Sequence, residues 1–210
     1  MPLTQFDGIV YINLNRRTDR KEALLSELKH LRVDPSKIHR IEAVDDPLNG
    51  VKGCLHSHLK ALDFVESQGW KRGLILEDDA IFLFPVEKIE GETELFFRDF
   101  EGLWDVYLLG GRYKCAYHTF RDEIYRIYDS IRAHAYCVHP DYFSKLRACF
   151  YEGVKIMENH LFYSQSLSYG LDVLWRKLQQ KDRWFAPRDP LINQSEGMSD
   201  IELRPKAFRY

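Results

Sequence analysis

Apolar runs of strand length alternate with segments of helical periodicity over the first half of the chain. The run "GIVYINL" (8–14) is rich in β-branched and aromatic residues, and "KIHRIEAV" (37–44) reads as a second strand. Between and after them, leucines recur on one helical face over 15–31 and 53–69. This alternation predicts an α/β fold with a mainly parallel central sheet flanked by helices.

The joints between these segments are rich in Gly, Pro and Asp but too short to be domain linkers. Residues 1–210 are therefore predicted to form a single domain, either a whole protein or one domain of a longer protein. Thr18 is the predicted N-cap of the first helix, and Gly69 is the predicted stop of the second. Further strands are predicted at 74–84, 104–111 and 133–140, and further helices at 92–101, 140–150 and 171–180.

Composition limits the partners and the compartment. The formal net charge of -2 gives no global field for nucleic acid or an anionic membrane. No apolar run has the length of a transmembrane helix, and no signal-peptide pattern opens the sequence. The four cysteines form no CxxC pair, which argues against a structural zinc site and favours free thiols in the cytoplasm. An extracellular disulfide pair is the alternative.

Three carboxylates interrupt the most apolar segment, "LILEDDAIFLF" (74–84). Buried carboxylates without partners are costly, but in open α/β sheets the carboxyl ends of the strands form a ligand cleft. Glu77 and Asp79 are expected to point to one side of the strand and Asp78 to the other. Two like charges on one edge favour a divalent cation between them, Mg²⁺ or Mn²⁺. The alternative is that these acids cap helices or pair with Arg72 or Arg112.

A group of arginines follows the first strand in "NRRTDR" (15–20). At a helix N-terminus, Arg16, Arg17 and Arg20 are suited to bind a phosphate, although Asp19 and Glu22 are alternative partners for them. The sequence contains neither GxxxxGK[ST] nor GxGxxG, so neither a P-loop nor a dinucleotide site is expected. A cation site beside basic groups therefore favours a sugar nucleotide as the ligand.

Eight blocks in order resemble glycosyltransferase family 25, which includes lipooligosaccharide sugar transferases and collagen galactosyltransferases. They extend from residue 9 to about 201 and read "VYINLNRRTDR", "RIEAVD", "GCLHSH", "LILEDDAIF", "WDVYLLG", "HAYCV", "LDVLW" and "INQSEGMSDI". The resemblance implies a GT-A fold, a nucleotide-sugar donor that is usually UDP-linked, Mn²⁺ dependence and inversion at the anomeric carbon. It also implies a glycan or glycoprotein acceptor.

The resemblance also implies roles for individual residues. Glu77 and Asp79 match the outer acids of the family's metal-binding motif, with Asp79 as the more direct ligand. Residues implied to line the nucleotide-sugar pocket are Asn13, Arg16, Arg20, Ala43, Asp45, Ser57, Lys60 and Asp78. His58 is either part of this pocket or a hydrogen-bonded core histidine. A third metal ligand among His134, His139 and His160 stays unassigned.

Inverting transfer requires a base for the acceptor hydroxyl, and Asp172 in "YGLDVLW" matches the family's acidic residue near the acceptor. The alternative is an ordinary acid at a helix N-terminus. Asp105 is the second candidate base, although its position just before a strand indicates structural pairing. The predicted function is a metal-dependent glycosyltransferase. A non-catalytic nucleotide-sugar-binding domain and a metal-dependent phosphohydrolase are the alternatives.

Overall fold

The structure, a computed structural model, describes residues 3–159, 167–198 and 205–206. Its central sheet has eight strands in the order β2-β1-β3-β8-β5-β9-β7-β6. In chain order the strands are β1 (Gly8–Asn13), β2 (Ile38–Glu42), β3 (Gly73–Glu77), β4 (Ala80–Phe82), β5 (Val106–Leu108), β6 (Arg112–His118), β7 (Ile124–Ile131), β8 (Ala135–Val138), β9 (Trp184–Pro187), β10 (Ile192–Gln194), β11 (Gly197–Met198) and β12 (Pro205–Lys206). β4 pairs with β10 and β11 with β12 in two small antiparallel sheets.

The direction of the strands confirms the predicted α/β class. β1 pairs in parallel with β2 and with β3, and β5 pairs in parallel with β9. β8 runs opposite to β3 and β5, and β7 runs opposite to β9 and β6. Only β8 and β7 therefore oppose the common direction of this eight-stranded sheet.

Helices cover both faces of the sheet. The long helices are α1 (Thr18–His30), α2 (Gly50–Ser67), α3 (Val86–Asp99) and α4 (Phe143–Asn159), and single helical turns follow at Leu171–Leu174 and Arg176–Gln179. Side chains alternate along the strands: Ile9 and Leu74 pack against α1 and α3, whereas Val10 and Ile75 pack against α2 and α4. The central strands β1, β3, β8, β5 and β9 are thus buried on both faces, as their nearly continuous apolar sequences predict, whereas β2 and β6 at the two ends of the sheet are partly exposed.

Several boundaries differ from the sequence predictions. The first helix begins at Thr18 itself, and its cap position is Arg17, which makes no side-chain capping hydrogen bond. The helix predicted at 92–101 begins earlier, at Val86, and ends at Asp99. Pro85 lies at its N-cap, a place where a proline does not disrupt the helix. The helix predicted at 171–180 is two separate turns.

The predicted end of the second helix is confirmed. Gly69 follows α2 with a φ of 66°, the left-handed conformation that a glycine allows after a helix.

The predicted strand 74–84 is two strands in two different sheets. β3 ends at Glu77, a turn over 78–79 follows, and β4 leaves the central sheet to pair with β10. β9 and β10 themselves were not predicted, because they lie in the tail that reads as irregular sequence. No helix within the described residues combines the length and the apolar character that crossing a membrane requires.

Candidate active site

Three neighbouring strands end at one edge of the central sheet. In the parallel register, Ile12 of β1 lies beside Glu77 of β3, and Asn13 lies beside Glu42 of β2. β8 enters at the same edge, because the backbone N–H of Glu77 donates to the carbonyl oxygen of His134 at 2.9 Å. Polar residues that are far apart in the sequence therefore meet here, and we call this edge the carboxyl edge.

Asp78 lies beneath the carboxyl edge and joins three segments. It is 8% exposed, and its two oxygens accept from Asn13 Nδ2 at 2.8 Å and from Arg20 Nη1 at 3.0 Å. Burial raises the pKa of the Asp78 carboxyl, and the hydrogen bond from Asn13 and the charge of Arg20 oppose that shift. These contacts tie α1 to β1 and to the turn after β3, so Asp78 positions Arg20 at the edge.

Glu77 and Asp79 face a common amide group. Gln194 Nε2 lies 3.1 Å from Glu77 Oε2 and 3.5 Å from Asp79 Oδ1. Arg20 Nη1 lies 3.6 Å from Asp79 Oδ2, so one cationic group contacts both aspartates of the triplet. Glu77 and Asp79 thus converge as predicted, although a turn rather than a continuous strand brings them together. The arginine beside the acids is Arg20 rather than Arg72 or Arg112.

Gln194 is a site residue to which sequence reasoning assigned no role. It reaches the acids because β10 pairs with β4 directly after the turn, with Gln194 beside Ala80. The backbone N–H of Ser195 also donates to the carbonyl oxygen of Asp79 at 2.7 Å. The only sequence signal was the block "INQSEGMSDI", whose later part lies outside the described residues.

The predicted pocket residues of the first two strands fall into an outer and an inner group. Arg16 and Asp45 form an ion pair at the outer rim, where both side chains are about half exposed. Asn13 is 1% exposed, and its carbonyl oxygen accepts from the N–H of Ala43 at 3.0 Å. Arg40, which sequence reasoning missed, donates to Asn13 Oδ1 and to Asn13 O, both at 3.1 Å. Asn13, Ala43 and Arg40 therefore form the inner group, and their hydrogen bonds support the rim that carries Arg16 and Asp45.

Ser57 and Lys60 of α2 both contact the segment that follows β2. Ser57 Oγ accepts from the N–H of Val44 at 2.8 Å and donates to the carbonyl oxygen of Gly53 at 2.6 Å. Lys60 Nζ lies 3.3 Å from the carbonyl oxygen of Glu42. Both residues lie near the carboxyl edge, and these contacts position the loop that carries Asp45.

Asp172 holds the segment before β8. Its Oδ2 accepts from the backbone N–H of Arg132 at 2.8 Å, and Arg132 has a φ of 75°, which is unusual for a residue other than glycine. Arg132 Nη1 in turn donates to Asn193 Oδ1 at 3.1 Å. Asp172 is thus connected to β10 and, through the chain from Arg132 to His134, to the carboxyl edge.

Asp105, the second candidate base, lies at the opposite edge of the sheet, where it pairs with Arg183 as its position predicts.

Two of the three candidate histidines lie at opposite ends of β8. His134 is fully buried beside the carboxyl edge, and its Nε2 lies 3.0 Å from the carbonyl oxygen of Ile192. Its Nδ1 has no hydrogen-bond partner in the part of the chain that the structure describes, and burial lowers the pKa of this histidine. His139 follows β8 at the other edge, against Trp104. His160 lies outside the described residues.

Gly110 allows β10 to approach the end of β5 closely. A Cβ atom at this position would lie 2.0 Å from the carbonyl oxygen of Ile192 and 2.3 Å from His134 Nε2. We expect Gly110→Ala to lower the free energy of unfolding by about 3 kcal/mol, since buried backbone atoms must move to admit the methyl group. Chemical denaturation measures this change.

The matched control for Gly110 is Gly91, which is exposed in α3 and has open space around its Cα. Gly91→Ala is expected to raise the free energy of unfolding by about 0.5 to 1 kcal/mol, because alanine favours the helix. If both substitutions had the same small effect on the free energy of unfolding, β10 would not approach the end of β5 as closely as described.

No protein-family model matches the chain, and no curated protein matches its sequence. The mannose-1-phosphate geranyltransferase from Thermus thermophilus is similar in structure, with a TM-score of 0.50 and 10% identity over 86% of this chain and 72% of that chain. A glycosyltransferase involved in the glycosylation of the major capsid of PBCV-1 has a TM-score of 0.49 and 10% identity, covering 86% of this chain and 93% of that chain. A UDP-glucose pyrophosphorylase complexed with UDP-glucose has a TM-score of 0.47 and 14% identity, covering 86% and 72%.

The likeness to the first of these structures concerns the fold alone, at 10% identity. Together with the strand order, it confirms the predicted fold class, a nucleotide-diphospho-sugar transferase fold of the GT-A type with a central sheet flanked by helices. The narrower resemblance to glycosyltransferase family 25 stays a prediction.

Proposed function

We propose that the chain is a metal-dependent glycosyltransferase similar to those of glycosyltransferase family 25. It would transfer a hexose from a UDP-linked nucleotide sugar to a hydroxyl group of a glycan or glycoprotein, with inversion. One observation carries this proposal: Glu77, Asp79 and Arg20 meet at the carboxyl edge of the sheet. Ligands of α/β sheets bind at this edge, and the group offers carboxylates for a cation beside a guanidinium for a phosphate.

Mn²⁺, or Mg²⁺, is the cofactor that this donor set fits. Glu77 and Asp79 would hold it through hard oxygen atoms, and the third ligand stays unassigned. The bound ion would neutralise the charge that grows on the leaving diphosphate.

The remaining steps belong to the side chains of the protein. Arg16 and Arg20 donate hydrogen bonds to the donor's phosphate oxygens and hold the diphosphate at the edge. Asp172 takes the proton of the acceptor hydroxyl while that oxygen attacks the anomeric carbon, and the bond to the diphosphate breaks on the opposite side. A positioned carboxylate contributes about 10²- to 10⁴-fold to such a step.

We also propose that the enzyme acts in the cytoplasm. Cys115, Cys137 and Cys149 are free thiols, and two of them are buried in the core. Free thiols persist in a reducing compartment.

Donor binding tests the proposal directly. With Mn²⁺ present, UDP-hexoses at 100 times the dissociation constant should stabilise the fold by about 2.7 kcal/mol in a thermal-shift measurement, and chelation should reverse the shift. Arg16→Ala should weaken donor binding by about tenfold, because one charge-assisted phosphate contact is lost. Release of UDP in the presence of Mn²⁺ distinguishes an enzyme from a protein that only binds the donor.

The control for Arg16 is Arg98→Ala, since Arg98 also forms an exposed ion pair with an aspartate, Asp99. This variant should bind the donor as the wild-type protein does. Equal donor affinity in Arg16→Ala would contradict the assignment of Arg16 to the pocket, and no shift with any nucleotide sugar would contradict the proposed function.

A further inference from the structure

Three side chains that could together hold a metal ion meet at the end of β3. Cys54, His58 and Glu77 each offer one ligand atom, and these atoms lie within 4.8 Å of one another. Cys54 and His58 are four residues apart on α2, so they lie on the same helical face, and Glu77 is the last residue of β3. Two ligands at i and i+4 on a helix with a third from elsewhere is an arrangement that proteins use to bind zinc.

The distance between two of these side chains suits a tetrahedral ion. His58 Nε2 lies 3.4 Å from Glu77 Oε1. Two nitrogen or oxygen ligands at about 2.1 Å from a tetrahedral zinc ion lie about 3.4 Å apart, so these two atoms already have the required separation. A thiolate at the longer zinc–sulfur distance lies about 3.6 Å from the other ligands. The sulfur of Cys54 lies within 4.8 Å of both, so it would have to move by little more than about 1 Å toward them.

The ring of His58 is fixed in the orientation that a ligand needs. His58 is 1% exposed, and its Nδ1 lies 2.8 Å from the hydroxyl oxygen of Tyr136. The ring also stacks on Tyr136 and contacts the edge of Phe150. A histidine that binds metal usually donates its other N–H to an oxygen atom, which sets the tautomer and directs the free nitrogen to the ion. Tyr136 is that partner here, and Nε2 is the nitrogen that faces Glu77.

We propose that Cys54, His58 and Glu77 bind a zinc ion that is distinct from the cation of the proposed transfer reaction. Thiolate and imidazole favour zinc, whereas Mn²⁺ and Mg²⁺ favour oxygen ligands. A thiolate and a carboxylate together balance the charge of a divalent ion. Three protein ligands leave the fourth position of the tetrahedron open to water.

Glu77 separates the two cation positions. Its Oε1 faces His58, whereas its Oε2 faces Gln194 and, with it, Asp79. Zinc at the first oxygen would connect α2 to the end of β3 and hold the Glu77 carboxylate in one orientation. This inference shares Glu77 with the proposed transferase site but does not require the transferase activity.

Metal content and cobalt spectroscopy of the full chain test the zinc site. After reconstitution with Zn²⁺ and removal of excess metal, the protein should retain one zinc ion per chain. With Co²⁺ in its place, a thiolate-to-cobalt charge-transfer band should appear in the near ultraviolet. Cys54→Ser should abolish this band and weaken zinc binding by more than about 100-fold, beyond the effect typical of an outer hydrogen-bond partner.

Cys115→Ser is the matched control, since Cys115 is also half buried but lies in β6. It should retain both the band and the zinc affinity. Tyr136→Phe keeps the ring and removes only the hydroxyl, and it should weaken zinc binding by about 10- to 100-fold. If wild-type protein gives no charge-transfer band, or if Cys54→Ser binds zinc as tightly as wild type, the three side chains form a hydrogen-bonded chain and the proposal is wrong.

Asp79→Asn separates this proposal from the proposed function. The variant should keep its zinc ion, because Asp79 is not one of the three ligands, but it should lose metal-dependent donor binding. If the wild-type protein binds zinc but no nucleotide sugar, the proposed transferase function is contradicted and the zinc site is supported.

Discussion

Asp79→Asn is expected to reduce hexose transfer by about 10³-fold or more and to remove its dependence on Mn²⁺. The reason is electrostatic: Asp79 and Glu77 share the amide of Gln194, and the loss of one charge leaves Glu77 as the only carboxylate of the pair. Initial rates of UDP release, measured over a range of Mn²⁺ concentrations, determine both effects.

The fold of this variant should survive. An asparagine has the same shape, the carbonyl oxygen of residue 79 still accepts from the N–H of Ser195, and Asp78 still holds Arg20. The control is Asp63→Asn, which removes a carboxylate that pairs with Arg147 and should leave the rate unchanged. Transfer by Asp79→Asn that depends on Mn²⁺ as the wild type does would remove Asp79 from the metal site.

The sequence was informative wherever a signal is local. Strands were predicted at β1, β2, β5 and β8. For β1, β5 and β8 the signal was a continuous run of apolar side chains, which a buried strand needs, and the leucine spacing predicted α1 and α2. The triplet at 77–79 also predicted a cleft, but it was read as part of one strand. The structure divides that strand because the two aspartates occupy a turn, after which β4 leaves the central sheet.

The partners of the acids could not be predicted, because they depend on distant pairing. Gln194 is 117 residues from Glu77 in sequence and reaches it only through the pairing of β10 with β4. Arg40 likewise contacts Asn13 from the neighbouring strand. By contrast, the spacing of Cys54 and His58 on α2 was visible in the sequence. The CxxC pattern does not include a cysteine and a histidine four residues apart on a helix.

Asp172 combines a structural contact with the predicted role of general base. Its Oδ2 supports Arg132, whose backbone is in a left-handed conformation that costs energy without support. Truncation to alanine would therefore disturb both the loop before β8 and any catalytic role. An asparagine keeps an oxygen that accepts from the N–H of Arg132 but cannot take a proton from the acceptor.

Asp172→Asn is accordingly expected to lower kcat for hexose transfer by about 10²- to 10⁴-fold, the contribution of a positioned general base. Donor affinity should stay within about twofold of wild type, because the phosphate contacts are unchanged. Steady-state kinetics with a saturating acceptor, together with donor binding by thermal shift, separate these two quantities.

The control is Asp141→Asn, since Asp141 is also an acid in the first turn of a short helix, Pro140–Tyr142, but is exposed near the opposite edge. Transfer by Asp172→Asn at nearly the wild-type rate would show that Asp172 serves only the Arg132 loop and that another group removes the acceptor proton.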